Sequence, residues 1–373
     1  MKTSLHQPSL QHRPWSRLLL IGPYLRKASF GFAGLLIVVG LLLVGCGTST
    51  TSSPTSGNSS VKPTSTFAGL VDIGSGRKMY LNCRGSGSPT VVFVSGRSDR
   101  ADIWSTLANP KQTGPAVLPG VATFTRVCAY DRPGTVTITG QHVEASRSSP
   151  VPQPTTSDSG MRDLHALLTA AKVPGPYVLV AHSFGGLIAR LYAAHYPNEV
   201  SGLVLVDTLT ELLYDDLTPQ QQAWWIPLNS YFPPVLDQYH QERTDFVPSF
   251  QSLRTAPELR RMPVVILASD QPYNLKLLGD LPLPPGVPVN FGPVIFKAHI
   301  AGQMMLAERL NAKLILDTHA SHYVHTEQPQ LVINSIRYVV DRVRNVPDPP
   351  GLSFTPQPNP TLDTMPGEDT IEG

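Results

Sequence analysis

The sequence predicts an α/β protein in which a mostly parallel central sheet is flanked by helices. Three observations predict it. Short apolar runs such as Thr90-Val91-Val92-Phe93-Val94 lack the polar alternation of a half-exposed strand, so both of their faces need cover. Segments with apolar residues at helical spacing lie between those runs, and strand–helix alternation favours parallel pairing. A glycine turn, Gly74-Ser75-Gly76, joins two short strands ahead of the first run, as in an antiparallel hairpin.

In chain order, the hairpin strands are expected at 70–73 and 79–83, followed by strands at 90–94 and 125–130. Met161, Leu164, Leu167, Leu168 and Ala171 predict a helix over 161–172. A strand at 177–180 precedes a helix at 186–195, and further apolar strands fall at 203–206, 264–267 and 313–316. The last helix spans 329–343, with Pro329 suited to its first turn. The stretch from 208 to about 262 breaks the alternation and carries Trp224, Trp225, Tyr231, Phe232 and Tyr239. Fifty residues without structure are improbable inside a domain, so a helical cap inserted after the sixth strand is expected.

The ends read differently. Residues 1–27 carry five basic residues and no acid, and residues 28–45 are uncharged and mostly apolar. Small residues before a cleavage point complete a secretory signal. Leu43-Val44-Gly45-Cys46 resembles a bacterial lipobox, which implies lipidation of Cys46 and membrane attachment in the extracytoplasmic cell envelope. Eighteen residues could also span a bilayer as an uncleaved anchor, and a soluble secreted form is the third alternative. The Ser/Thr/Pro-rich residues 47–67 read as a tether, and the Pro-rich acidic residues 346–373 as a disordered tail. The folded unit is therefore 68–345.

Of the 373 residues, 41% are hydrophobic and 15% charged, enough apolar content for a sizeable core. The balance of 29 basic and 27 acidic residues gives no support to nucleic-acid binding. Three cysteines exclude a four-thiolate zinc site. His319, His322 and His325 recur at intervals of three, but no second ligand cluster accompanies them, so no metal is expected. No cofactor is expected either.

The chemistry concentrates in Ala181-His182-Ser183-Phe184-Gly185. A strand ends and a helix of small residues begins around Ser183. A tight turn there needs small residues two before and two after the serine, and it presents the hydroxyl beside the positive end of the helix. Ser321-His322-Tyr323 follows the last apolar strand, on a loop from which His322 can act as general base. After the third strand, Ser95-Gly96-Arg97 turns backbone N–H groups inward, so Arg97 and Phe184 are the expected oxyanion donors.

These segments, together with Asp131-Arg132-Pro133-Gly134 and Leu205-Val206-Asp207, resemble the α/β-hydrolase superfamily in its own order, over residues 68–345. Within it, bacterial esterase-like members with an Asn-Cys-Arg-Gly segment like 82–85 are most similar. The resemblance implies a serine hydrolase that forms an acyl-enzyme on a carboxylic ester of a small or apolar substrate. Aminopeptidase, thioesterase and acyltransferase activities stay open, as does a non-catalytic cell-surface lipoprotein that binds a ligand or partner. Many members carry His-Gly where this chain has Ser95-Gly96. The triad acid usually follows the seventh strand, which implies Asp270, with Asp207 after the sixth strand as the alternative. The superfamily's strand order also places the second and fourth strands side by side, so a Cys83–Cys128 disulfide is expected.

Overall fold

The computed structural model describes residues 66–357 apart from 141, 231–233, 273–274 and 276–282. Strands β1 (Phe67–Gly74) and β2 (Arg77–Arg84) form the hairpin, and β3 is Thr90–Val94. After α1 (Val117–Ala122) come β4 (Val127–Tyr130) and a small antiparallel pair, β5 (Val136–Thr139) and β6 (His142–Ala145). Helix α2 (Ser157–Ala170) opens with a reciprocal Thr156–Ser159 capping box. Next are β7 (Tyr177–His182), α3 (Gly185–His195) and β8 (Val200–Val206). The cap contributes α4 (Glu211–Asp215), α5 (Pro219–Ser230) and α6 (Phe246–Thr255) before β9 (Val264–Leu267). The main body closes with α7 (Gly292–Leu310), β10 (Lys313–Ile315), α8 (Val324–Glu327) and α9 (Pro329–Arg344).

The eight-stranded sheet runs β1-β2-β4-β3-β7-β8-β9-β10. Only β1–β2 and β2–β4 pair antiparallel; every later neighbour is parallel. Successive side chains point to opposite faces. Val92, Val94, Leu179, Ala181, Leu203, Leu205 and Ile266 therefore pack with α2, α3, α6 and α7. Val91, Phe93, Val178, Val180, Val204, Val206, Val265 and Leu267 pack with α1 and α9. Covered on both sides, the central strands have no need of polar residues. The loops that follow β3, β7, β8 and β9 gather at the carboxyl edge, where such sheets place their sites.

Cys83 lies directly opposite Cys128 in the β2–β4 register, and the two form a disulfide. Within the described residues, the first part of the tail departs from the disorder its composition implies. Residues 346–357 are held on the body: Phe354 lies 3.6 Å from the Lys313 ammonium and 5.7 Å from the Tyr338 ring. Gln357 and Gln328 exchange two backbone–side-chain hydrogen bonds. The signal segment, Cys46 and nearly all of the tether lie outside the described residues. Among the described residues no helix is long and apolar enough to cross a membrane.

Candidate active site

Ser183 stands between β7 and α3 with φ +51°, a left-handed conformation that is costly for a residue with a Cβ. The turn is pinned from below. Ser183 N–H donates to Val206 O at 3.2 Å, and Ser183 O accepts the N–H groups of Gly186 and Leu209 at 2.9 and 3.0 Å. The two glycines are forced by close approach. A Cβ on Gly185 would lie 2.4 Å from Val94 O, and one on Gly186 would lie 1.5 Å from Thr208 Oγ1. Ser183 keeps partial exposure while both neighbours are buried.

His182 ties this elbow to the histidine loop. Its Nε2–H donates to the His322 carbonyl at 2.8 Å, which fixes the tautomer and leaves Nδ1 as a bare acceptor with no hydrogen-bond partner. The His182 and His322 ring centroids are 4.6 Å apart. Burial, with help from the neighbouring His325 and His322, holds His182 neutral, well below the usual histidine range.

His322 points Nδ1–H at Asp207 Oδ2, 2.6 Å away. Asp207 directly follows β8 at φ +42°, and its side chain is wholly buried. Its Oδ1 accepts Ser269 N–H at 2.7 Å and His299 Nε2–H at 2.7 Å. Burial alone would push this carboxyl upward. His299 and His322 outweigh it and hold the group well below the ordinary carboxylate range, ionised.

Asp270, the expected acid, does not meet His322. Its carboxylate accepts the N–H groups of His319 and Ala320 at 2.8 and 3.1 Å, a structural tie across the base of the histidine loop. The physical reason is reach. The loop after β10 lays His322 over the end of β8, so the residue directly after that strand, Asp207, lies beneath its Nδ1. The three spaced histidines also diverge. His319 pairs with Asp317 at the surface, while His325 is buried beside Trp104, ring centroids 4.6 Å apart. His299 was invisible in the sequence, since it sits in the middle of a helix far along the chain with no motif around it.

The loop after β3 carries Arg97 at the edge of the site. It is braced by Arg132, which donates to Ser95 O at 2.7 Å and to Gly96 O at 2.6 Å. Arg132 is itself paired with buried Glu242 through bonds of 2.7 and 2.9 Å, and Glu242 also accepts Ser98 N–H at 2.7 Å. Gly134 (φ +81°) admits that segment, since a Cβ there would lie 2.6 Å from Glu242 N. Ser95, beside Gly96, accepts Trp104 Nε1–H at 3.0 Å. Burial raises the Asp99 carboxyl on this loop to about 7, and burial lowers the Arg97 guanidinium to about 10. The Arg97 side chain also bonds Asn229 O, at the end of α5, and lies 5.4 Å from the Phe246 ring.

The cap aromatics pack on one another. Trp225 meets Tyr214, Phe246 and Phe250, and Trp224 meets Phe291. Tyr231 and Phe232 lie outside the described residues.

Parts of the chain are similar in sequence to known proteins. Over 135 residues, 33% of this chain and 40% of the relative, it is 31% identical to the cis-3-alkyl-4-alkyloxetan-2-one decarboxylase of Shewanella oneidensis. Over 127 residues, 34% of this chain and 40% of the relative, it is 31% identical to the lipase LipV of Mycobacterium tuberculosis. The chain thus spans two-fifths of either relative's length. A solved thermophilic esterase from Thermogutta terrifontis superposes with a TM-score of 0.45 at 17% identity, covering 74% of this chain and 99% of that one. A sequence model of the alpha/beta hydrolase family matches residues 91–335, from β3 into α9, and the chain belongs to that family.

Proposed function

We propose that the protein is a serine hydrolase acting through an acyl-enzyme on carboxylic esters. The observation that carries this reading is the convergence on one corner of a strained, partly exposed Ser183 and a His322–Asp207 pair 2.6 Å apart. In this mechanism Ser183 Oγ attacks the ester carbonyl carbon as His322 Nε2 takes its proton. Asp207 accepts the Nδ1–H and stabilises the imidazolium without itself taking the proton. The N–H groups of Arg97 and Phe184 face the oxyanion of the tetrahedral intermediate. Collapse expels the alcohol, which receives the proton from His322. Water then attacks the acyl-enzyme by the same steps and releases the acid.

An apolar acyl or alcohol group is part of this proposal, in keeping with a lipase among the relatives. Attachment to the outer face of the membrane through a lipidated Cys46 belongs to the same proposal, and mass spectrometry of the mature N-terminus tests it. For the chemistry, the test is Ser183→Ala on a short p-nitrophenyl ester. Hydrolysis is expected to fall by several orders of magnitude with the fold intact. Activity within tenfold of the parent protein would overturn the assignment.

A further inference from the structure

Helix α7 grips the acid corner along one face. His299 is 2% exposed, and its Nε2–H donates to Asp207 Oδ1 at 2.7 Å. One turn on, fully buried Gln303 donates from Nε2 to Thr208 O at 2.6 Å. Between them Gly302 lies so near that a Cβ would be 2.8 Å from Thr210 Oγ1. Residues 299, 302 and 303 share a helix face, and that face is spent on residues 207–210 rather than on apolar packing.

A carboxylate rotates in a broad well about its last torsion. Its plane is fixed only if both oxygens are held. Here Oδ1 takes the Ser269 and His299 N–H groups, leaving Oδ2 aimed at His322. A buried donor on an anion is a strong, charge-assisted bond, and removing it leaves the carboxylate under-solvated.

We propose that His299 is a positioning residue for the hydrolytic reaction: it locks the Asp207 carboxylate in the rotation that presents Oδ2 to His322. The proposal rests on the reading of Ser183, His322 and Asp207 as the catalytic triad. His299 touches no substrate, so its loss lowers kcat and leaves KM in place. Partners that orient a metal-bound His or carboxylate typically cost about 10–100-fold when removed, and a loss of the same order is expected here.

The test is a set of variants of the full mature chain, with fluorophosphonate labelling of Ser183 as the control for the underlying reading. His299→Leu is expected to lower kcat about 10–100-fold with KM unchanged. His299→Gln places an amide N–H near the same point and is expected to recover at least tenfold over His299→Leu. In the Asp207→Asn background, His299→Leu is expected to change kcat by less than threefold, because the group it positions is already gone. A merely structural role predicts the opposite: losses that multiply, and no rescue by glutamine. With Ser183 labelled, kcat for His299→Leu within threefold of the parent protein, or multiplied losses in the double variant, overturns the proposal. If His299→Leu does not fold, His299→Gln decides alone, and a kcat more than tenfold below the parent protein overturns it. An unlabelled Ser183 would remove the triad reading and this proposal with it.

Discussion

Two aspartates follow neighbouring strands, Asp207 directly after β8 and Asp270 three residues past the end of β9, and their surroundings give them different work. Asp207 is wholly buried and holds two histidines, while Asp270 accepts two backbone N–H groups of a loop. Asp207→Asn is therefore expected to lower kcat by roughly 10⁴. Asp270→Asn is expected to leave kcat within tenfold and to lower the melting temperature instead. Steady-state kinetics with thermal melts checks both, and the reverse ordering would return the acid role to Asp270. The resemblance put Asp270 first and Asp207 second, and the structure reverses that order, because the choice depends on which strand end the histidine loop overlies. His325 gives a second prediction at this scale. Burial holds it down to about 3 from the ordinary 6.5, and neither ring nitrogen has a hydrogen-bond partner. Between those pH values the unfolded chain binds a proton that the folded chain refuses, so stability falls as pH falls. His182 acts in the same sense, and Asp99, raised to about 7, acts in the opposite sense. His325→Phe is expected to flatten the acid limb between about pH 6.5 and 3 relative to the parent protein, read as the melting-temperature difference at each pH. Parallel curves would contradict it.

Among the elements, β7, its turn and α3 were legible because their constraints are local: a buried apolar strand, a small-residue turn, a helix of small residues. Gly186→Ala tests that constraint. A Cβ 1.5 Å from Thr208 Oγ1 and 2.6 Å from its Cβ cannot be absorbed without shifting the loop after β8, so the variant is expected to lose about 1–3 kcal/mol or more, measured by denaturant unfolding. Adding Thr208→Gly is expected to restore part of the loss, and an unchanged midpoint for Gly186→Ala alone would contradict the packing argument. Helix α7 was not legible. It has apolar residues on several sides, and its inward face carries His299, Gly302 and Gln303. No element was expected from the sequence at 292–310, and these residues carry no local signal of the 207–210 corner they meet. Likewise, the polar and aromatic stretch 208–262 implied a cap. It did not reveal that Glu242 within it braces the loop after β3 through Arg132.

At the scale of the molecule, the Cys83–Cys128 disulfide joins the antiparallel margin of the sheet, β2 to β4, across 45 residues. A closed loop of that length restricts the unfolded chain by about 4 kcal/mol in the chain-entropy account. Cys83→Ala/Cys128→Ala is expected to lower stability by up to that amount, and two free thiols in denatured, unreduced protein would contradict the bridge. The segment 346–357 shows why composition misled at this scale. Seven prolines and five acids over 346–373 describe an average, whereas Phe354 on Lys313 and the Gln328–Gln357 exchange are particular contacts. The central proposal, that Ser183 is the activated nucleophile, is tested most directly by reacting the mature protein with a fluorophosphonate and mapping the adduct by peptide mass. One adduct per chain, on Ser183, abolished in Ser183→Ala and slowed in Asp207→Asn, is the result expected. No adduct, or an adduct on another residue with ester hydrolysis intact, would contradict it.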